Sequence, residues 1–313
     1  KKSCWRGDYQ DALRVAAKLH IPLLRLNFVK EYKKFVLDYM YSEYKKGRTP
    51  NPDVLCNKFV KFGFWLKKAK ILGFDYLATG HYARLIKEDN QKSKIKNIKL
   101  ITAVDNNKDQ TYFLHQLSQE QLKHIIFPVG DYTKDQVRKL ANKFGLPTAK
   151  KEESMGICFI GEVPMKEFLQ KKIKTKIGKI ILNNTNEILG THDGVPFYTI
   201  GQRLGLNNKP YFVIKKDIKK NILFVGHEND PELLKKEIIV ENINWISGQK
   251  PKLPLKCEVR LRHRQTLQKC NVQSIKSIKS VKSKVNSFLV KFNNPQRAVT
   301  PGQFAVFYSK GVC

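Results

Sequence analysis

Apolar positions recur every three or four residues from Tyr9 to Leu19, where Ala12, Leu13, Val15, Ala16 and Leu19 share one face; the spacing predicts a helix ended by Ile21-Pro22. A second helical period, over about 31 to 46, carries Phe35, Val36, Tyr39, Met40 and Tyr44, and a third, from Phe59 to Leu72, stops at Gly73. Leu23 to Phe28 reads as a short apolar strand, Asp75 to Tyr82 as a buried strand breaking off at Gly80, and Leu100 to Val104 as another strand. A further helix is expected from Asp135 to Phe144, closed by Gly145 and Pro147. Alternating helices and strands predict an α/β domain on a parallel, helix-covered sheet, with ligands gathering at the carboxyl ends of its strands.

The pattern changes after Gly178. Short runs alternate with turn residues: Lys179 to Leu182, Ile188 to Gly190, Phe197 to Ile200, Tyr211 to Ile214 and Ile222 to Val225. These predict a small β domain. A third unit begins near Ile238, and its runs Cys257 to Arg262, Asn271 to Gln273, Phe288 to Phe292 and Gln303 to Tyr308 suggest a β-barrel. The expected division is 1–161, 162–237 and 238–313. Two polar stretches, Lys87 to Lys99 and Ser274 to Ser287, read as inserts between strands.

Charge adds a partner class. Lys and Arg number 59 against 27 Asp and Glu, a net charge of +32. Such a field draws a polyanion such as nucleic acid, although a compositional drift toward Lys in the Ile- and Asn-rich inserts produces the same total. No run of eighteen apolar residues exists, so no membrane helix is expected. The six cysteines form no Cys-x-x-Cys spacing and are too sparse for a disulfide scaffold. A reducing, cytoplasmic setting is expected, with no metal site.

Candidate chemistry centres on the stretch Gly47-Arg48-Thr49-Pro50-Asn51-Pro52-Asp53-Val54-Leu55-Cys56-Asn57. Its prolines hold the backbone extended or turned. Asp53 suits a general acid or base, or a helix cap, and Cys56 near a helix start suits a reactive thiolate. Cys158, in the apolar run Gly156 to Gly161, is the second thiol singled out by context, against the plain role of a small buried hydrophobe that a lone free cysteine usually fills. His81 after Gly80, the Lys108-Asp109-Gln110 cluster, and Arg260, Arg262, His263 and Arg264 on a strand are candidate contacts to nucleic acid, against plain structural or solvated roles.

Taken in order, the proline stretch, Ala78-Thr79-Gly80-His81-Tyr82-Ala83-Arg84, Lys108 to Leu114, Gly156-Ile157-Cys158-Phe159-Ile160-Gly161, Gly201-Gln202-Arg203 and Thr300-Pro301-Gly302-Gln303 resemble the motif set of the tRNA-specific 2-thiouridylases. The resemblance implies an adenine-nucleotide hydrolase-like catalytic domain followed by a central β domain and a C-terminal, tRNA-contacting β-barrel. It implies ATP-dependent thiolation of C2 of the wobble uridine, with Mg2+, on a base flipped out of its stack. Cys158 is then the persulfide carrier, Cys56 the partner that frees the sulfur and closes a transient Cys56–Cys158 disulfide, and Asp53 the acid or base. Gly80 touches ATP. Asn51, Pro52 and Asp53 hold the target base, and His81, Lys108, Asp109, Gln110, Arg262, His263 and Gln303 match tRNA-contacting positions. His263 departs from the tyrosine expected there.

The family's Ser-Gly-Gly-Val-Asp-Ser-Ser pyrophosphate loop is not found in this sequence, so the catalytic sheet is expected to lack its first strand and the chain to bind ATP weakly or not at all. The partners implied are tRNA and a persulfide donor protein or relay, for a monomer in a bacterial-type cytoplasm or an organelle. The alternatives are a non-catalytic tRNA-binding protein and, more weakly, a dithiol oxidoreductase.

Overall fold

The computed structural model describes residues 4–88, 97–152, 156, 160–161, 163–275 and 286–313. Cys158 lies outside these residues, as do parts of both inserts.

The first helix, Cys4–Leu19, is followed by a helical run made of Val29–Tyr32, Lys33–Leu37 and Asp38–Lys45, its middle piece π-wound. The proline stretch leads into a second such run: Pro52–Leu55, the π-wound Cys56–Trp65, and Leu66–Ile71. Strand β1 (Leu77–Ala78) pairs in parallel with β4 (Ile125–Ile126), while β2 (Ala83–Glu88) and β3 (Asn97–Thr102) form an antiparallel pair. Helix Lys134–Lys143 begins with a Thr133–Gln136 capping box and ends at Phe144 and Gly145, as the period predicts. Phe62, Leu66, Leu77, Leu100, Leu114 and Ile125 fill the core between helices and strands.

The sheet of the second unit runs β6-β5-β9-β8-β7, from Ile188–His192, Gly178–Leu182, Ile222–Gly226, Lys209–Asp217 and Arg203–Leu206. The C-terminal sheet runs β10-β13-β12-β11-β14, from Leu234–Glu241, Ser287–Arg297, Gln268–Ser274, Leu255–Arg260 and Val306–Tyr308, antiparallel throughout. The expected boundary at 237/238 falls inside β10.

Two predicted strands do not form. Leu23 to Phe28 pairs with no strand among the described residues, and Leu23 and Leu24 are exposed; an apolar run becomes a strand only where another backbone offers a ladder. Over Phe197 to Ile200 the chain instead leaves a short 3-10 turn, Val195–Phe197, which Pro196 starts.

Candidate active site and its RNA-facing surface

Asn51, and not Asp53 as the sequence suggested, caps the helix that leads into Cys56. Its Oδ1 accepts hydrogen bonds from the Asp53 and Val54 N–H groups at 3.2 and 3.4 Å, and Pro52 occupies the first turn where no N–H is needed. Asp53 is half-buried in that first turn, and its carbonyl accepts from the Asn57 amide at 3.1 Å. Cys56, one turn on, is fully buried among Tyr32, Val36, Leu55 and Val60. Ile160, two residues beyond Cys158, packs against this same cluster.

The proline stretch is the meeting point of all three units. Gly47, at φ +73°, sits so close to the central domain that a Cβ would lie 2.0 Å from Ile218 Cδ1. Thr49 Oγ1 is 3.1 Å from Thr199 Oγ1, also of the central domain. From the C-terminal domain, Pro301 accepts a bond from the Thr49 N–H at 2.9 Å, and Gln303 Nε2 donates to the Thr49 carbonyl at 2.7 Å. Glu43, buried below, holds Arg48 at 3.2 Å and Lys46 at 2.8 Å; both ammonium and guanidinium partners keep its carboxyl below the usual range, against the effect of burial.

Several expected RNA contacts turn inward. His81 is buried between the rings of Phe62 and Phe127, with Nδ1 2.8 Å from Thr79 Oγ1; burial, with Lys61 adding to it, pushes its pKa down to about 3. Asp109 is 2% exposed. Its oxygens accept from the Ala103 N–H and Thr111 hydroxyl and meet Arg260 Nη1 at 2.5 Å. Neither His81 nor Asp109 offers its side chain to a ligand here, and Arg260 is spent on Asp109 instead of on phosphate. Sequence order hides this pairing, because the partners are far apart in the chain.

The remaining members of the set lie nearer the surface. Lys108 is half-buried, and Gln110 Oε1 accepts from the Tyr82 N–H at 2.9 Å, which leaves its amide N–H groups for other partners. Arg262 is exposed at the residue level while its guanidinium donates to the Ala298 carbonyl. His263 lies 4.4 Å, ring to ring, from Phe113, and burial pushes its pKa down to about 4, with Arg264 and Arg260 adding to the effect.

Sequence reasoning passed over Tyr112 and Lys58. Tyr112 is fully buried, and its hydroxyl donates toward the carbonyls of Phe304 and Leu261, joining the Asp109 turn to the C-terminal domain. Lys58, two residues past Cys56, reaches Gln116 Oε1 at 2.9 Å, and burial holds its pKa below the usual value. Tyr112 sits inside the Lys108 to Leu114 stretch and Lys58 directly follows the proline stretch, which was the available signal. Arg48, Lys58 and Gln303 help line a cavity of about 1210 Å3 between the Cys56 helix and the C-terminal sheet. Asp53 and Cys56 are not among its walls.

Gly80 lies just past β1, exposed, with nothing within 4 Å of where a Cβ would stand; this open strand end admits a nucleotide's close approach. No glycine-rich turn opening a helix to hold phosphates is found among the described residues, and none of their His, Cys, Asp or Glu side chains cluster as a metal site.

Three family models match in succession: a tRNA methyl transferase HUP domain over 1–162, a tRNA methyl transferase PRC-barrel domain over 166–227, and an aminomethyltransferase beta-barrel domain over 235–313. Curated relatives align over nearly the whole chain. The tRNA-specific 2-thiouridylase MnmA of Ureaplasma urealyticum serovar 10 is 47% identical over 313 residues, covering 98% of this chain and 78% of the relative. Its namesakes in Listeria innocua serovar 6a and Legionella pneumophila (strain Lens) are both 45% identical, covering 98% of this chain and 80% and 83% of theirs. The chain belongs to the tRNA-specific 2-thiouridylase family. The family models' descriptions speak of methyl transfer, whereas the relatives are named for thiolation. HUP domains bind nucleotides, and the family's named substrate is tRNA. No helix among the described residues is long and apolar enough to cross a membrane.

Proposed function

We propose that this chain transfers sulfur to C2 of the wobble uridine of tRNA. The observation that carries this reading is the convergence at Thr49: the turn bearing Gln303 docks on the loop that leads to Asp53 and, one turn deeper, to Cys56, so a tRNA gripped by the C-terminal domain brings its anticodon beside the carboxylate, with the thiol beneath it. ATP enters as co-substrate, converting the C2 oxygen into a leaving group, with Mg2+ arriving on its phosphates. Gly80 is the contact this chain offers it.

Cys158 carries the sulfur as a persulfide received from a donor protein or relay. The terminal sulfur bonds to C2 as the activated oxygen departs; the Cys56 thiolate then attacks the Cys158 sulfur, closing a Cys56–Cys158 disulfide and leaving the second sulfur on C2. Ile160 supports the pairing, since two residues of chain reach about 7 Å and Ile160 packs on the Cys56 cluster. Asp53 moves the proton, beside Asn51 and Pro52, which shape the pocket for the extruded base. Lys108, Gln110, Arg262, His263 and Gln303 contact the tRNA, and His81 and Asp109 hold that surface from beneath. The protein works as a monomer in a bacterial-type cytoplasm, a setting supported by its bacterial relatives.

Nucleoside analysis by mass spectrometry of tRNA incubated with the protein, ATP and a persulfide donor tests the reading. 2-Thiouridine is expected from the protein supplied with an intact pyrophosphate loop and none from its Cys158→Ser form; equal product from both overturns the roles given to the two cysteines.

A further inference from the structure

The C-terminal sheet holds a second pair of thiols. Cys257 on β11 and Cys270 on β12 stand directly opposite each other in the antiparallel ladder, both free, with their Sγ atoms 3.6 Å apart and in hydrogen-bond contact. Opposed residues of antiparallel strands keep their Cα atoms about 4.5–5.5 Å apart, within the span that a disulfide bridges. The pair backs onto the apolar core of Val259, Val272 and Val290 on one side. Lys256, Glu258 and Lys269, each one residue along its strand from a thiol, project from the opposite face of the sheet, while Cys257 also borders the cavity of about 1210 Å3, which gives a small reagent a way in.

The two thiols are not equivalent. Cys270 is 4% exposed, while Cys257 is only partly covered. The hydrogen bond from Cys270 holds the Cys257 thiol below its usual pKa, against burial and Glu258, and the same bond with burial pushes Cys270 up.

We propose that Cys257 and Cys270 form a thiol–disulfide exchange site, separate from Cys56 and Cys158, that reacts with small disulfides. The Cys257 thiolate attacks one sulfur of the small disulfide, forming a mixed disulfide and expelling one small thiolate. Cys270 loses its proton and attacks the Cys257 sulfur, expelling the second small thiolate. Two protein thiols become one disulfide, one small disulfide becomes two thiols, and the two protons given up by the protein end on those products.

The test incubates the full reduced chain, without denaturant, with glutathione disulfide, alkylates the remaining thiols and maps tryptic peptides by mass spectrometry. Cleavage after Lys256, Arg260, Lys269 and Lys276 places the two cysteines on separate peptides, 257–260 and 270–276. The expected result is these peptides joined, two hydrogens lighter than their sum. Cys270→Ser is expected to hold glutathione on Cys257, and Cys257→Ser to react at Cys270 at least about tenfold more slowly. Unjoined, alkylated peptides from the unsubstituted chain overturn the site, and this measurement needs no variant to fold. Equal rates at the two single variants overturn the assigned order of attack.

Discussion

Gln303 Nε2 donates to the Thr49 carbonyl across 2.7 Å, joining two turns that lie 254 positions apart in the chain. Next to it, Gly302 adopts φ +97°, and a Cβ there would stand 2.9 Å from the Thr49 nitrogen and 3.0 Å from the Arg48 Cβ. The contact that seats the C-terminal domain on the Asp53–Cys56 loop therefore needs both a backbone conformation that glycine tolerates and the absence of a side chain.

Gly302→Ala is expected to destabilise the protein by about 1–3 kcal/mol from the strained φ alone, and to lower thiolation further by shifting the loop. Thermal unfolding and nucleoside analysis, run on the same preparation, check it. An unchanged melting temperature contradicts the close approach.

Asn51 is held to its capping role by its two backbone bonds. Asn51→Ala is expected to cost about 1 kcal/mol, and Asn51→Asp to restore stability, because aspartate caps equally well. Activity distinguishes the additional role in holding the base: if Asn51→Asp is stable yet slow, the amide touches the substrate, and if it is stable and fully active, Asn51 acts through the helix alone.

The Asp109–Arg260 pair is almost dry, with side chains 0% and 10% exposed. Removing one charge strands the other, so Asp109→Ala and Arg260→Met are each expected to cost about 3–5 kcal/mol, and the double variant less than the sum. A double-mutant cycle by denaturant unfolding measures the coupling; additive losses would show that the ion pair contributes nothing of its own.

Acid should weaken the fold in a defined window. Burial depresses His81 to about 3, and His115 and His263 to about 4, from the usual 6.5. Because the folded values lie below the unfolded one, the unfolded chain takes up these protons first, and stability falls as pH drops from about 6.5 toward 4. Denaturation midpoints across this range are expected to decline, with a shallower slope in His81→Gln. A flat profile contradicts the burial of these rings as neutral groups.

Cys56→Ser is expected to stall the proposed reaction with tRNA joined to Cys158 through a disulfide. A slower-migrating band on a non-reducing gel, released by dithiothreitol, reports it. Free 2-thiouridylated tRNA from this variant argues that another thiol resolves the intermediate.

Much of this was legible in the amino-acid order because it rests on local physics. A helix beginning near Asp53 was signalled by the proline stretch, although the sequence offered Asp53 as its cap and the structure gives that role to Asn51, and the helix ending at Gly145 was signalled by its apolar period. The β-rich character beyond Gly178 and the ordered motifs were likewise visible, and so was the family. What tertiary structure alone decided is which polar side chains face out. His81, Asp109 and Arg260 look like phosphate contacts in sequence, yet each is buried, by two aromatic rings in one case and by a partner 151 positions away in the others. The same holds for Leu23 to Phe28, whose composition suits a strand but which finds no ladder among the described residues, and for Cys257 opposite Cys270, which only strand register brings together. Periodicity and capping depend on neighbours a few residues apart, whereas burial and pairing depend on what the fold carries in from elsewhere.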